Sequence, residues 1–141
     1  MEWQFRVGTR ELGRGLDAVE DALRSASTRE ETVLDLRLVA EEVLTNVAHH
    51  AYDDAAQHWI RLRLTLLADE VTLEFTDDGR PFDPLAKAPR GLDADGAERA
   101  IGGLGIHLTL ALVDAAEYDR RGSENVLTLT KRLSAPHSGV T

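Results

Sequence analysis

Residues 58–79 read HWIRLRLTLLADEVTLEFTDDG, and this stretch decides the fold class. Apolar side chains occupy every second position in two runs, which comprise Ile60, Leu62, Leu64 and Leu66, then Val71, Leu73 and Phe75. A period of two is typical of strands with one buried face. The short connection at Ala68-Asp69 favours a hairpin between the two runs. We therefore predict two antiparallel strands, at residues 58–67 and 70–76.

The residues before this hairpin predict a short strand and two amphipathic helices. Trp3, Phe5 and Val7 alternate with polar neighbours, as in a half-buried strand at residues 3–7. An apolar stripe at helical spacing is then formed by Leu12, Leu16, Val19 and Leu23. Overlapping capping boxes at Ser27 and Thr28 predict a second helix at about residues 28–51, with an apolar face made of Leu36, Ala40, Val43, Val47 and Ala51.

The residues after the hairpin predict a long loop, a third helix and a second pair of strands. Glycine and proline accumulate over residues 77–103, and a loop of this length is usually either a functional lid or disordered. A helix is predicted at about residues 104–114. Two strands follow at residues 117–121 and 126–133, and a Gly-Ser turn joins them.

The order of these elements predicts an α+β fold. Hairpin-linked strands dominate the centre of the chain, so we expect a two-layer α/β sandwich with helices on one face of a mixed, mostly antiparallel sheet. Residues 1–133 form the predicted domain. The small polar residues 134–141 are predicted to be a disordered tail.

Composition restricts the functional classes. The chain has 141 residues, 43% of them hydrophobic, which suits one domain with a single core. No apolar run is long enough to span a bilayer and the N-terminus does not resemble a secretion signal, so we expect a cytoplasmic protein without a membrane span. A net charge of -9 disfavours binding to nucleic acid. The absence of cysteine excludes disulfides and thiolate metal sites.

Three polar residues of the second predicted helix share one stripe. Glu42, Asn46 and His50 follow one another at intervals of four, beside the apolar face. The amide oxygen of Asn46 is a hard ligand suited to Mg²⁺, and the carboxylate of Glu42 can deprotonate an attacking hydroxyl. Taken alone, however, such a stripe is more often the solvated face of an amphipathic helix.

Two further motifs complete a candidate nucleotide site. Asp77 at a strand end can accept a hydrogen bond from the exocyclic amine of adenine, and Gly79 leaves space for the ring. Gly103 and Gly105, which flank Leu104 at a helix start, can direct backbone N–H groups towards phosphate. Each motif alone is more often an ordinary turn. Their order along the chain nevertheless predicts a site for ATP and Mg²⁺.

Other nucleotide and metal motifs are absent from the sequence. It contains neither a P-loop nor a Rossmann fingerprint. Adjacent helical residues such as His49 and His50 point about 100° apart, and no third ligand has a usable spacing, so we reject a zinc site. Basic groups for the phosphates could come from Lys87, Arg90 or Arg99, although loop charges are more often simply solvated.

These motifs resemble those of the Bergerat-fold ATPases, the superfamily of gyrase, histidine kinases and the mismatch-repair ATPases. Residues 42–52, EVLTNVAHHAY, resemble the N-box in the form that the anti-sigma-factor serine kinases carry. Residues 77–84, DDGRPFDP, resemble the adenine-binding box of that family. Residues 103–106, GLGI, resemble its second glycine box, and residues 125–131, NVLTLTK, its closing strand. The resemblance extends over residues 1 to about 133.

The resemblance implies a role for each matching position. Glu42 is implied as the general base, Asn46 as the magnesium ligand, Asp77 as the acceptor for adenine and Gly79 as the residue that accommodates the ring. The implied phosphate contacts are Gly103, Leu104 and Gly105. Either Thr128 or Thr130 is implied as part of the adenine wall.

Two positions depart from the family pattern. Pro81 replaces the second glycine of the superfamily's Asp-x-Gly-x-Gly, which stiffens the loop. Ile101 stands where some anti-sigma kinases have an arginine that faces the phosphates, and Arg99 is the basic residue closest to it in sequence.

The resemblance implies an ATP- and magnesium-dependent serine/threonine protein kinase that acts as an anti-sigma regulatory factor. Its implied partners are a sigma factor and an anti-sigma-antagonist protein of the STAS type, and a homodimer remains open. The departures at Pro81 and Ile101 keep an alternative, a nucleotide-gated protein-binding module with little or no phosphotransfer. A histidine-kinase catalytic fragment ranks third, because such enzymes commonly carry asparagine where Glu42 stands.

Overall fold

The two runs of alternating apolar residues within residues 58–79 form the predicted antiparallel hairpin. The computed structural model describes residues 1–6, 11–26, 28–50, 58–87 and 109–133. Its elements, in chain order, are β1 (Glu2–Arg6), α1 (Glu11–Ser25), α2 (Glu30–His50), β2 (Trp59–Leu66), β3 (Glu70–Asp77), α3 (Pro84–Lys87), β4 (Ala115–Arg121) and β5 (Glu124–Arg132). Residues 109–112 are also helical.

The strands form one five-stranded sheet with the order β1-β2-β3-β5-β4. Each pairing between the described strands is antiparallel, in agreement with the predicted mixed, mostly antiparallel sheet. The hairpin of β4 and β5 turns at Gly122, whose φ of 60° lies in the left-handed region that glycine adopts without strain. The predicted α+β class and the predicted turn are therefore confirmed.

One face of the sheet packs against α1 and α2. This face is apolar because every second residue of β2, β3 and β5 is hydrophobic, and α1 and α2 each contribute an apolar stripe. The buried cluster includes Leu16, Val19, Leu23, Val33, Leu36, Val39, Ala40, Val43, Leu44, Val47, Ile60, Leu62, Leu64, Val71, Leu73, Phe75, Leu127 and Leu129. The predicted stripes of both helices are confirmed for the members whose side chains the structure describes.

The opposite face of the sheet is polar. Arg61, Arg63 and Glu74 lie there because their positions alternate with the buried leucines of β2 and β3. Arg63 contacts Glu2 of β1 at 3.3 Å and is 57% exposed. The alternation of charged and apolar positions therefore sets which face carries the helices.

Ion pairs join α1 to α2. Arg37 Nη1 contacts Asp17 Oδ1 at 2.8 Å and Glu20 Oε1 at 2.6 Å. Arg24 donates from Nε to Glu30 Oε1 at 3.0 Å and from Nη1 to Glu20 Oε2 at 2.6 Å. The contacts of Arg37 with α1 and of Arg24 with Glu30 join the two helices, whereas the contact between Arg24 and Glu20 lies within α1.

The short helix α3 was not predicted, because the sequence reading treated residues 77–103 as one loop. The local signal is nevertheless ordinary. Asp83 Oδ1 accepts a hydrogen bond from the Leu85 backbone N–H at 2.9 Å, so Asp83 caps a helix whose first residue is Pro84. β4 also begins two residues earlier than predicted, at Ala115.

Residues 134–141 lie outside the described part of the chain, so the predicted tail and the domain boundary at residue 133 stay predictions. No helix within the described ranges is both long enough and apolar enough to cross a membrane.

Candidate functional site

A small hollow lies between α2 and the sheet, at the end of β3. It is lined by Val43, Asn46, Val47, Phe75, Asp77, Phe82, Pro84, Tyr118, Asn125 and Leu127. Its walls are therefore mostly apolar or aromatic, with three polar side chains, a composition typical of small-molecule sites. The hollow measures about 20 Å³, which is room for about one water molecule. This enclosed space is smaller than a purine base.

Among the described residues that line this hollow, Asp77 is the only carboxylate. It is the last residue of β3 and only 5% exposed. Its Oδ1 accepts hydrogen bonds from the Gly79 backbone N–H and from Asn125 Nδ2, both at 2.9 Å. Within the described residues, Oδ2 accepts no hydrogen bond, so this oxygen is available to a donor in the hollow.

The surroundings of Asp77 raise the pKa of its carboxyl above the ordinary value. Burial is the largest cause, because it disfavours the charged form. The hydrogen bonds from Asn125 and Gly79 favour the charged form and offset part of this rise. The negative charge of Asp78 adds to the rise, and the positive charge of Arg120 opposes it.

Asn125 of β5 is held by a network of hydrogen bonds and is 4% exposed. Its Nδ2 donates to Asp77 Oδ1 and, at 2.8 Å, to the carbonyl of Arg80. Its Oδ1 accepts from Tyr118 Oη at 2.5 Å and from the Phe82 backbone N–H at 3.2 Å. Donors thus face the oxygen and acceptors face the nitrogen, which fixes the orientation of the amide.

Arg120 of β4 connects this network to the loop after β3. Its Nη1 donates to the carbonyl of Gly79 at 2.8 Å and to Asn125 Oδ1 at 3.2 Å. Strand register explains the arrangement, because Asp77 pairs with Asn125 and Asn125 pairs with Arg120. Residues paired in this way project from the same face of a sheet.

Asn46 and Asp77 lie at the same hollow. Asn46 extends from α2, beside the buried side chains of Val43 and Val47. Glu42 stands one turn earlier on α2 and is half-buried. The structure therefore brings two of the predicted segments together.

The donor set near the hollow fits a cation that takes few protein ligands. Among the described residues there is no group of three or more His, Cys, Asp or Glu side chains that could hold a metal ion. Asn46 offers an amide oxygen, and Mg²⁺ typically combines one or two protein ligands with phosphate oxygens and water. The residues present fit Mg²⁺ bound together with a polyphosphate better than an ion bound by the protein alone.

Several predicted site residues lie outside the described chain. They are the phosphate candidates Gly103, Leu104 and Gly105, the departure at Ile101, and the basic candidates Arg90 and Arg99. The side chains of His50 and Lys87 also lie outside the description. Their proposed contacts with phosphate therefore stay predictions.

The position of Thr128 corrects the sequence expectation. Thr128 pairs with Glu74 of β3, and Thr130 pairs with Thr72. Both threonines therefore project from the polar face of the sheet, whereas Asp77 projects from the face that carries the helices. The β5 residue that stands beside Asp77 is Asn125, three positions before Thr128.

Sequence reasoning missed the roles of Tyr118, Arg120 and Asn125. A usable signal was present, since the predicted turn at Gly122 and Ser123 fixes the register of the last hairpin. Counting outward from that turn pairs Arg120 with Asn125. The link to Asp77 required the pairing of β3 with β5, which no turn between them specifies.

Comparisons with known proteins identify relatives over most of the chain. A family model described as the histidine kinase-like ATPase domain matches residues 8–131. The serine/threonine-protein kinase BtrW of Bordetella bronchiseptica is 35% identical over 103 residues, which cover 73% of this chain and 72% of that protein. The serine-protein kinase RsbW of Halalkalibacterium halodurans is 33% identical over 103 residues, and the match covers 70% of this chain and 62% of that protein.

Solved structures share the fold at low sequence identity. The RsbU and RsbW domains of a Mycobacterium tuberculosis protein superpose with a TM-score of 0.64 and 16% identity, over 100% of this chain and 35% of that one. The SiaB–SiaC complex of Pseudomonas aeruginosa gives a TM-score of 0.56 and 17% identity, over 93% of this chain and 88% of that one. These likenesses concern the fold alone.

Proposed function

Because the chain belongs to the histidine kinase-like ATPase family, we propose that it binds ATP with Mg²⁺ at the hollow between α2 and the sheet and acts as a serine/threonine protein kinase of the anti-sigma type. The observation that carries this proposal is the buried Asp77, whose Oδ2 is available to a donor, at the same hollow as Asn46. The carboxylate can accept the amine of the adenine base, and the amide oxygen can bind the Mg²⁺ that accompanies the phosphates. Together they suit the two ends of ATP.

Each residue of the site has a chemical role in this proposal. Asp77 accepts the exocyclic amine of adenine, while Val43, Val47 and Phe75 supply apolar contact for the ring. Asn46 holds Mg²⁺ through its amide oxygen, and the bound ion offsets negative charge on the phosphates. Glu42 accepts the proton of the acceptor hydroxyl, which a carboxylate one turn from Asn46 on the same helix is placed to do.

We propose as partners an anti-sigma-antagonist protein, which supplies the serine or threonine hydroxyl, and a sigma factor, which the chain binds in the cytoplasm. The names of the relatives support this choice, since they include protein kinases and the anti-sigma F factor of Caldanaerobacter subterraneus. Of the relatives compared above, the chain spans 62% of RsbW from Halalkalibacterium halodurans. Those activities and partners are therefore part of the proposal.

The test measures binding and transfer separately. Wild-type protein and Glu42→Gln are titrated with ATP and Mg²⁺ by calorimetry, then incubated with γ-labelled ATP and candidate antagonist proteins. We expect Glu42→Gln to bind ATP normally and to lose phosphotransfer by at least about a hundredfold. Glu41→Gln is the matched control, because Glu41 is the exposed neighbour on α2 and should transfer phosphate normally. Equal transfer by wild type and Glu42→Gln would remove Glu42 as the base.

A second candidate is a nucleotide-gated binding module, and the size of the hollow favours it. Since a purine is larger than the enclosed space of about 20 Å³, its entry displaces lining groups such as Phe82 or Pro84. A ligand that moves these groups shifts the populations of two conformations, which can expose or hide a partner surface. In that case, Asn46→Ala should abolish nucleotide-dependent capture of a partner, whereas Glu42→Gln should leave it intact.

A further inference from the structure

The side chain of Asn125 lies at the centre of the polar network and has no role in the proposed function. It is 4% exposed, and its amide contacts the loop after β3, the edge strand β4 and Asp77. An amide held by this many partners cannot rotate without breaking several hydrogen bonds. A fixed amide therefore stands beside the carboxylate proposed to recognise the base.

The bond from Asn125 helps to determine which oxygen of Asp77 is left to accept a hydrogen bond from a ligand. A terminal carboxylate torsion is broad, so a carboxyl group without fixed partners samples many orientations. Asn125 Nδ2 and the Gly79 N–H both donate to Oδ1, at 2.9 Å each. With Oδ1 held from two sides, Oδ2 is the oxygen left to accept a hydrogen bond from a ligand.

Tyr118 and Arg120 anchor Asn125 from β4. The Tyr118 hydroxyl donates to Asn125 Oδ1 at 2.5 Å, and Arg120 Nη1 donates to the same oxygen at 3.2 Å. Arg120 also holds the carbonyl of Gly79, at 2.8 Å. Both donors point at the amide oxygen, so they keep the amide nitrogen turned towards Asp77.

We propose that Asn125, anchored by Tyr118 and Arg120, is a positioning residue that presents Asp77 Oδ2 as a fixed acceptor and so makes the site selective for a purine with an exocyclic amine. This proposal rests on the proposed function, because it concerns the same nucleotide site. A base with a carbonyl in place of the amine brings an acceptor to Oδ2 and leaves both groups unsatisfied.

The experiment compares ATP with inosine triphosphate, which carries a carbonyl where adenine carries its amine. Dissociation constants for both nucleotides are measured by calorimetry on wild type, Asn125→Ala, Tyr118→Phe and Arg120→Gln. Arg121→Gln is the matched control, since Arg121 lies next to Arg120 on β4, is exposed and pairs with Asp119. Thermal unfolding of each variant is recorded in parallel.

We expect wild type to prefer ATP and Asn125→Ala to lose about tenfold in ATP affinity with little change for the inosine nucleotide, so that the preference collapses. In Tyr118→Phe and Arg120→Gln, the preference for ATP over the inosine nucleotide should fall about threefold, because each substitution removes one anchor and leaves Asn125 present. Arg121→Gln should keep the wild-type ratio.

The outcomes separate this inference from the proposed function. If a folded Asn125→Ala loses affinity for both nucleotides equally, or keeps the wild-type ratio, Asn125 does not set the selectivity and the inference is overturned, although ATP binding stands. If Asn125→Ala does not fold, the inference is overturned when Tyr118→Phe and Arg120→Gln both keep the wild-type ratio of affinities for ATP and the inosine nucleotide. Wild type that binds ATP without preference overturns the inference and the assignment of Asp77 to the adenine amine, although ATP binding at the hollow stands. Wild type that binds neither nucleotide overturns both proposals.

Discussion

Asn125 Nδ2 donates a hydrogen bond to Asp77 Oδ1 at 2.9 Å, across 48 positions of sequence. The two residues are direct partners in the register of β3 and β5. Their bond engages Oδ1 and leaves Oδ2 without a hydrogen bond from the described residues, and Asp77 lines the same hollow as Asn46 of α2. This relationship connects the fold with the proposed chemistry.

Asp77→Asn should abolish ATP binding while preserving the fold. An asparagine at this position can keep its oxygen towards Asn125 and Gly79 and place its amide nitrogen where Oδ2 stands. A donor then meets the adenine amine, so ATP affinity should fall at least about a hundredfold. Calorimetric titration measures the loss, and the far-UV circular dichroism spectrum should match that of wild type. Retention of ATP affinity would contradict the assignment of Asp77 to the base.

Stability should depend on pH through Asp77. Its pKa is raised in the folded protein, so its stabilising contribution is fully present below the unfolded pKa and is lost as pH rises through the folded pKa. Asp77→Asn carries no charge at any pH. The free energy of unfolding of this variant, relative to wild type, should therefore increase as pH rises through the folded pKa. Urea titrations at several pH values test the sign, and a difference that falls with pH would contradict it.

ATP affinity should also fall at acidic pH. The fall should begin at a higher pH than it would for an aspartate with an ordinary pKa. Protonation of Asp77 places a proton on the oxygen that accepts the adenine amine, which weakens the binding of ATP. Because the pKa of Asp77 is raised, this loss of affinity occurs at a higher pH than for an ordinary aspartate. Calorimetry from neutral to mildly acidic pH measures the loss. The inosine nucleotide is the control, because its base has no amine to donate and its affinity should follow a different profile.

Leu44→Ala should destabilise the fold by about 2–5 kcal/mol, because Leu44 of α2 is 1% exposed and its removal leaves a cavity. Leu34→Ala on the same helix should change the free energy of unfolding by less than about 0.5 kcal/mol, since Leu34 is 51% exposed. Urea denaturation of both variants compares the same substitution on two faces of one helix. Similar losses for both would contradict the packing of α2.

Arg37→Ala should lower the free energy of unfolding by about 1 kcal/mol, because Arg37 joins Asp17 and Glu20 of α1 to α2. The loss should shrink in 1 M salt, which screens partly exposed charges. A double-mutant cycle with Glu20→Ala isolates the coupling between the two side chains. Arg63→Ala is the control, since its pair with Glu2 at 3.3 Å lies on the exposed face and should contribute less.

The sequence predicted the fold closely because its periodicities are local. The alternation around Leu62 and Leu73 specifies strands, and the stripe through Leu36 and Val43 specifies a helix face. The missed helix α3 had a local signal as well, in the cap at Asp83. The expectation that Thr128 or Thr130 contacts the base did not account for strand faces, because a motif match does not state which face of a strand a residue occupies, and both threonines lie on the face opposite to Asp77.

The sequence by itself determined the elements, the hairpins and the helix stripe that carries Glu42 and Asn46, since helix and strand periods and turn residues act over a few positions. Only the tertiary structure decided that Asn125 stands beside Asp77. That contact depends on how β3 registers against β5, and a shift of one residue would turn Asn125 to the other face. The packing of α2 on the sheet then brings Asn46 to the same hollow, because burial of its apolar stripe sets the rotation of the helix.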